Sequence, residues 1–250
     1  MQRLELNFSS PAEQLAADEA LLDWCEAGQS GETLVFWEPR ETFVVVGYGN
    51  KVASEVHLAA CQARNVPVFR RCSGGGAVVQ MPGGLNYGLL LRINPQGPTR
   101  NISSTNQFVM KQNCGAVQTA LGGPAPAVSV HGHTDLAVAV PGASPASWLK
   151  VSGNSQRRRR QYLLFHGTLL LNCDLRLLNE LLPMPSVQPD YRAHRPHAEF
   201  VTNLNLPATA VKAALARAWN AAGELQPPPL DEIGKLAREK YARPEWNYKY

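Results

Sequence analysis

Two segments hold residues whose types and spacing suit chemistry on an anion or an activated acyl group. The first, RRCSGGGAVVQMPGGLNY, spans 70–87. Three consecutive glycines cost chain entropy and contribute no packing. What they permit is a backbone that approaches a ligand closely and aims N–H groups at an anion. Side chains alternate along a strand, so of Arg70 and Arg71 one faces the loop's cavity and the other faces away. A glycine-rich hairpin turn accounts for the same residues. The run is no P-loop, since no Gly-Lys-Ser/Thr follows it and a strand rather than a helix comes next.

The second segment, WLKVSGNSQRRRRQYLLFHGTLLLN, spans 148–172. Lys150 stands in an otherwise apolar strand start. A lysine so placed commonly snorkels to water. The functional alternative is an ammonium that neutralises charge developing on a carbonyl or phosphate oxygen. His166-Gly167 interrupts an apolar strand, where glycine again permits close backbone approach.

Other clusters carry less. Arg157–Arg160 form either a solvated basic turn or a patch for ATP phosphates or an acidic docking partner; no aromatic-interleaved surface or nucleic-acid module accompanies them, so nucleic acid is not an expected partner. His194 and His197 with Asp190 and Glu199 match no zinc spacing, and no intrinsic metal is expected. YRAHRPH (191–197) reads as a structured loop that closes over a pocket. The five cysteines are odd in number and widely spaced, which excludes a disulfide scaffold and any CxxC site. The tryptophans read as core or rim packing.

These residues need a scaffold, and the composition allows one. The chain has 250 residues, 44% hydrophobic and 18% charged, with a net charge of +4. That is a globular composition with a sizeable core and a modest positive balance. No apolar run is long enough to span a membrane, and the N-terminus has no apolar h-region, so a cytoplasmic location is expected. Strand-like runs fall at 3–7, 33–37, 42–48, 66–71, 77–80, 85–93, 128–132, 135–140, 148–153 and 162–172. A tight turn joins the second and third. Helical stretches fall at 11–28, about 55–64, 103–121, 174–182, 207–222 and 229–241. An amphipathic first helix starts at Pro11 and stops at Gly28. Consecutive strands with short turns predict an α+β fold, a mixed and largely antiparallel sheet flanked by helices, in one domain over 1–250.

Together the two segments resemble the lipoate-protein ligases, within the wider family that includes octanoyltransferases and biotin ligases. The resemblance is carried by RRxSGGGxV at 70–78 and by K-x-SGNxQ…HGTLL from Lys150 to Leu170. QLAADEALL, VVVGYGNKVASEV and TDLAV support it, and 185–204 is similar to a segment of single-domain relatives. It covers nearly the whole chain in order. It implies a catalytic domain like that of biotin ligases, and two-step chemistry: lipoate or octanoate reacts with ATP and Mg2+ to an acyl-adenylate, and a carrier lysine then displaces AMP. Carried over by position, Arg71, Ser73, Gly74, Gly75, Gly76, Ala77, Ser152, Gly153, His166 and Gly167 line the acyl-adenylate pocket. Lys150 is the catalytic cation, and Asp135, Val78 and Gln80 lie toward ATP and magnesium. The implied partner is a lipoyl carrier domain, from a 2-oxoacid dehydrogenase E2 subunit or a glycine-cleavage H protein.

The chain departs from the ligase pattern at Gln80-Met81, where many ligases have His-Asp. It also stops at KYARPEWNYKY, about where an accessory domain begins in two-domain ligases. A single-domain form is therefore expected, working alone or with a separate accessory subunit. Octanoyl transfer from a pre-activated donor is the rival; it runs through a cysteine thioester. One octanoyltransferase class carries that cysteine where this chain has Met184, the other just before the segment equivalent to TDLAV, and both positions lack one. Cys72 and Cys173 remain as outside candidates. Biotin ligation lacks its GRG-type loop, and a non-catalytic acyl- or carrier-binding protein is the remaining alternative.

Overall fold

Period-two alternation along the longest strands sends neighbouring side chains into opposite layers, and the helices cover both. In the computed structural model, which describes residues 1–123, 126–140, 142, 147–224 and 227–250, the strands are β1 (Gln2–Glu5), β2 (Thr33–Trp37), β3 (Phe43–Val46), β4 (Val68–Arg70), β5 (Val78–Gln80), β6 (Gly84–Arg92), β7 (Val128–His131), β8 (Asp135–Ala139), β9 (Trp148–Arg158), β10 (Tyr162–Leu170) and β11 (Gly223–Glu224). They form an eight-stranded sheet in the order β11-β1-β2-β6-β10-β9-β8-β7 and a three-stranded sheet in the order β4-β3-β5. Pairing is parallel at β1–β11, β1–β2 and β3–β4 and antiparallel elsewhere. This is the α+β, largely antiparallel arrangement expected from the sequence.

The helices are α1 (Pro11–Glu26), α2 (Val52–Glu55), α3 (Leu58–Ala63), α4 (Ile102–Leu121), α5 (Arg176–Leu181), α6 (His197–Phe200), α7 (Ala208–Ala218), α8 (Leu230–Leu236) and α9 (Pro244–Asn247), with a wider π-type turn over Ala237–Tyr241. Leu34, Phe36, Leu163 and Phe165 face the layer of α4 and α7, while Val35, Trp37 and Leu164 face α1 and α8. With both faces covered, all of β2 and all of β6 but Arg92 are buried, which fixes their register. A third cluster fills the space between the small sheet and α5.

Several expectations change. Helix α1 is no amphipathic surface helix: Ala12 and every residue from Gln14 to Leu22 are buried, two acids included. Of these, Glu19 is met by Lys240 at 2.6 Å and by the Tyr241 hydroxyl at 2.7 Å, which ties the C-terminal helices to α1. β2 and β3 form no hairpin; they enter different sheets. The glycine loop is no hairpin turn either, because β4 and β5 flank β3 on opposite sides and the loop crosses over it. The helix expected at about 55–64 is two short ones, broken near Val56. Short elements at β11, α6 and α9 carry too little periodicity to be foreseen. The Pro-containing segments 122–127 and 226–229, which read from the sequence as breaks between elements, include residues outside the described ones. Among the described residues, no helix is long and apolar enough to cross a membrane.

Arg70, at the end of β4, is fully buried. Its guanidinium donates to the carbonyls of Gly47 (2.7 Å), Tyr48 (3.2 Å), Asn50 (2.8 Å), Trp246 (3.1 Å) and Asn247 (3.0 Å), and lies over the Tyr250 ring. It joins the 47–50 turn to the C-terminal segment. Replacing it leaves buried carbonyls without donors, at about 1–3 kcal/mol for each group that water cannot reach. We therefore expect Arg70→Met to lower stability by about 3 kcal/mol or more, read as a fall in the urea midpoint at unchanged slope. A loss below about 1 kcal/mol would show that water substitutes for the guanidinium.

Candidate functional site

The glycine loop is shaped from beneath. The buried Arg71 guanidinium donates to Gly74 O (2.5 and 3.1 Å), Gly76 O (2.8 Å), Val45 O (3.3 Å) and the Ser73 hydroxyl (3.1 Å). Burial lowers its pKa to about 10. A trans peptide points its N–H opposite its C=O. With the carbonyls of Gly74 and Gly76 turned down onto Arg71, the N–H groups of Gly75 and Ala77 turn up. The Tyr48 N–H takes Ser73 O (2.8 Å), which orients the Gly74 N–H likewise. No described residue accepts a hydrogen bond from the amides of Gly74, Gly75, Gly76 or Ala77. The three glycines are exposed, and Gly75 has φ +88, a conformation that favours glycine. The result is a set of loop amides with no acceptor among the described residues, of which those of Gly75 and Ala77 point away from Arg71, suited to an anion or an oxyanion.

Behind the loop runs a buried polar line. The Ser73 hydroxyl accepts from Arg71 and pairs with His166 Nε2 at 2.6 Å. His166 Nδ1 in turn faces Asp18 Oδ2 at 2.7 Å. The line fixes the His166 ring against the loop. The pairing of β9 with β10 sets Ser155 opposite His166 and Gly153 opposite Thr168, so these four share one face. Ser155 closes the connection by donating to Gly74 O at 2.9 Å.

Lys150 reaches that same face. A β-carbon on Gly153 would lie 3.2 Å from the Lys150 ammonium and 3.3 Å from Cε, so glycine gives the side chain its bed. The ammonium meets Asp135 Oδ1 at 2.8 Å, and the Tyr191 hydroxyl donates to Asp135 Oδ2 at 2.9 Å. Asn154 holds the turn before Asp135: its amide donates to Thr134 O (2.6 Å), while its oxygen accepts from the Tyr87 hydroxyl (2.5 Å). Gly167 faces the opposite side, where any β-carbon would overlap the Asn154 amide.

Among the residues read from the sequence, Arg71, Ser73, Gly74, Gly75, Gly76, Ala77, Gly153, His166, Lys150 and Asp135 thus gather around one face. Ser152 lies buried beside Asn154, and Val78 is half-buried in β5. Gln80 is spent in a buried network with Asn86 and Thr168, closed to a nucleotide. The arginine run is largely structural. Arg158 binds Thr99 O and Thr105, Arg159 pairs with Asp23 and Glu19, and Arg157 stacks on Tyr48. His197 binds Pro183 O, and no metal-binding group of acids, histidines or cysteines occurs among the described residues. Sequence reading left Asp18, Asn154, Ser155, Tyr191 and Gly47 without roles. All five stood inside quoted stretches, QLAADEALL, VVVGYGNKVASEV, K-x-SGNxQ and YRAHRPH, which marked their neighbourhoods without assigning them a role.

With the geometry defined, comparisons with known proteins can be placed beside it. Residues 10–218 match the model of the lipoyl protein ligase A/B catalytic domain, and the chain belongs to that family. It is 28% identical to octanoyltransferase LipM of Oceanobacillus iheyensis over 209 residues, 81% of this chain and 75% of that one. It is 25% identical to a probable lipoate-protein ligase A of Mycoplasma pneumoniae over 245 residues, 93% of this chain and 67% of that one. In fold it resembles a bipartite lipoate protein ligase of Thermoplasma acidophilum, described with its E2 lipoyl domain. The TM-score is 0.76 at 22% identity, covering 99% of this chain and 95% of that one.

The loop's position also depends on Gly47, where an added β-carbon would overlap the Gly75 carbonyl. Gly47→Ala should push the loop off Arg71 without entering the site itself. We expect a fall in turnover of about tenfold or more, since displacements near an ångström cost of that order. The fold should survive, as read by circular dichroism. Unchanged turnover would mean that the loop shifts freely.

Proposed function

We propose that this chain transfers a lipoyl-type acyl group, octanoyl or lipoyl, to the ε-amine of a lysine on a lipoyl carrier domain, with residues 1–250 forming one catalytic unit. The observation that carries this reading is that the free amides of the glycine loop and the Lys150 ammonium lie on one face of β9, tied there by Ser155 and Gly153. Aminolysis of an activated acyl group builds negative charge on the acyl oxygen and on the departing group. Amide donors and a nearby ammonium stabilise that charge. A module that only bound the acyl group or the carrier would have less use for such a cation.

For the donor, we propose an acyl group activated before it reaches the chain. The support is that several curated relatives are named octanoyltransferases, among them those of Oceanobacillus iheyensis and Geobacillus kaustophilus. A second reading, activation of free lipoate with ATP, is favoured by the thiols. Cys25, Cys61, Cys72 and Cys173 are buried and Cys114 is half-buried on α4. Burial pushes Cys25 and Cys72 up to about 12 and Cys173 to about 11, away from a reactive thiolate. An adenylate route asks for no enzyme thiol. The residues present fit a phosphate: the amides of Gly75 and Ala77 with Lys150 would hold it, and Asp135 would hold its magnesium. Bound ATP would supply the adenylyl group that activates the lipoate carboxyl, with pyrophosphate as the leaving group.

Two experiments test this. The purified chain, wild type and Lys150→Ala, is given a lipoyl domain with either an octanoyl-carrier thioester or lipoate, ATP and magnesium. The domain's mass is then followed. We expect wild type to octanoylate it from the thioester without ATP, and Lys150→Ala to be slower by on the order of a hundredfold. Modification only with ATP, accompanied by pyrophosphate, would establish the second reading; no modification under either condition would sink both. Separately, N-ethylmaleimide at pH 7 should leave native activity intact, because raised thiol pKa values mean little thiolate. Rapid inactivation would return a cysteine to the centre of the chemistry.

A further inference from the structure

The segment 189–202 touches the site through one hydroxyl, and its construction centres on Lys150. Its Thr202 N–H donates to Lys150 O at 2.9 Å, and Arg195 donates to Trp148 O at 3.0 Å, two residues earlier on β9. Arg195 also takes Tyr191 O at 2.9 Å, so one guanidinium fastens the segment's turn to the strand that carries the lysine. The Tyr191 ring packs on His131 at 4.8 Å and on Phe200 at 5.0 Å. From this seat its hydroxyl donates to Asp135 Oδ2, while Asp135 Oδ1 takes the Lys150 ammonium.

A carboxylate facing a lone ammonium is free to rotate and offer both oxygens. Fixing one oxygen with a neutral O–H donor restricts the carboxylate to a single oxygen for the lysine, and so restricts where the ammonium stands. We propose that Tyr191 is a positioning residue for acyl transfer: through Asp135 it sets the place of the Lys150 ammonium over the acyl carbonyl. Segment 189–202 is accordingly a brace for the catalytic lysine as well as a wall of the site. The inference rests on the role given to Lys150 above.

Tyr191→Phe removes only the hydroxyl and keeps the ring on His131 and Phe200. We expect kcat for carrier acylation to fall by on the order of tenfold, the scale of one hydrogen bond to a charged group. KM for the acyl donor and the melting temperature should stay near those of wild type. In an Asp135→Ala background, where no carboxylate remains to be held, the same substitution should change kcat little, a non-additivity that a merely structural role would not produce. Wild-type kcat in Tyr191→Phe, or additive effects in the double variant, would overturn the proposal. If Tyr191→Phe is as active as wild type while Lys150→Ala is inactive, the brace alone fails. If Lys150→Ala is itself active, the reading beneath it fails too.

Discussion

The guanidinium of Arg71, turned up beneath the glycine loop, is the interaction on which the site's shape depends. It collects two glycine carbonyls and a serine hydroxyl. Because peptide planes are rigid, each carbonyl drawn downward turns the following N–H upward. The donors offered to a substrate are thus a consequence of a cation the substrate need not touch. Arginine suits the task where lysine does not, because its planar fork serves several acceptors in fixed directions and keeps its charge when buried. Burial lowers its pKa to about 10, still above any ordinary working pH. The glycines are required for a matching reason: Gly75 takes a left-handed conformation and Gly47 lets the neighbouring turn come within contact of it.

A loop so arranged needs a rigid opposite wall, and the ladder β6–β10–β9 supplies it. Leu89, Leu91, Leu163 and Phe165 pack on one face of β6 and β10 and Leu90 and Leu164 on the other, so a slip of one residue would misplace all of them and is strongly disfavoured. Register then does the placing. Ser155 stands opposite His166, Gly153 opposite Thr168, and the loop is fastened to this face through Ser155 and through the Ser73–His166–Asp18 line. The small sheet that carries the loop and the large sheet that carries the lysine share an apolar core, in which Phe43, Val45 and Phe69 pack with Val35, Trp37 and Leu164, and these polar contacts set the loop's place upon it.

What the sequence disclosed follows the same division between local and distant. The element order, the glycine loop, Lys150 and His166 were legible because periodicity, turn chemistry and a family resemblance are properties of short stretches. The direction of Arg71 was not, since it is decided by a crossover over β3 that no local pattern encodes. Asp18 meets His166 across 148 positions of chain, and Tyr191 meets Asp135 across 56. Such partners become visible only once the sheets are assembled. The arginine run misled for a related reason. Four consecutive charges suggest a patch, yet Arg158 and Arg159 turn inward to carbonyls and acids contributed by distant segments.

The state of Asp135 bears on which donor the site accepts. A thioester and an acyl phosphate present the same carbonyl to the loop and the same need for a cation, and they differ in what leaves. Making an acyl-adenylate expels pyrophosphate from ATP, a step that calls for magnesium, and magnesium takes oxygen ligands. Asp135 already gives one oxygen to Lys150 and the other to Tyr191, so a magnesium ion there would share the carboxylate with an ammonium that it repels. A thioester makes no such demand: its departing thiolate is neutralised by a proton or by the lysine itself, with Asp135 and Tyr191 left in place as the brace. The two donors thus ask different things of this one carboxylate.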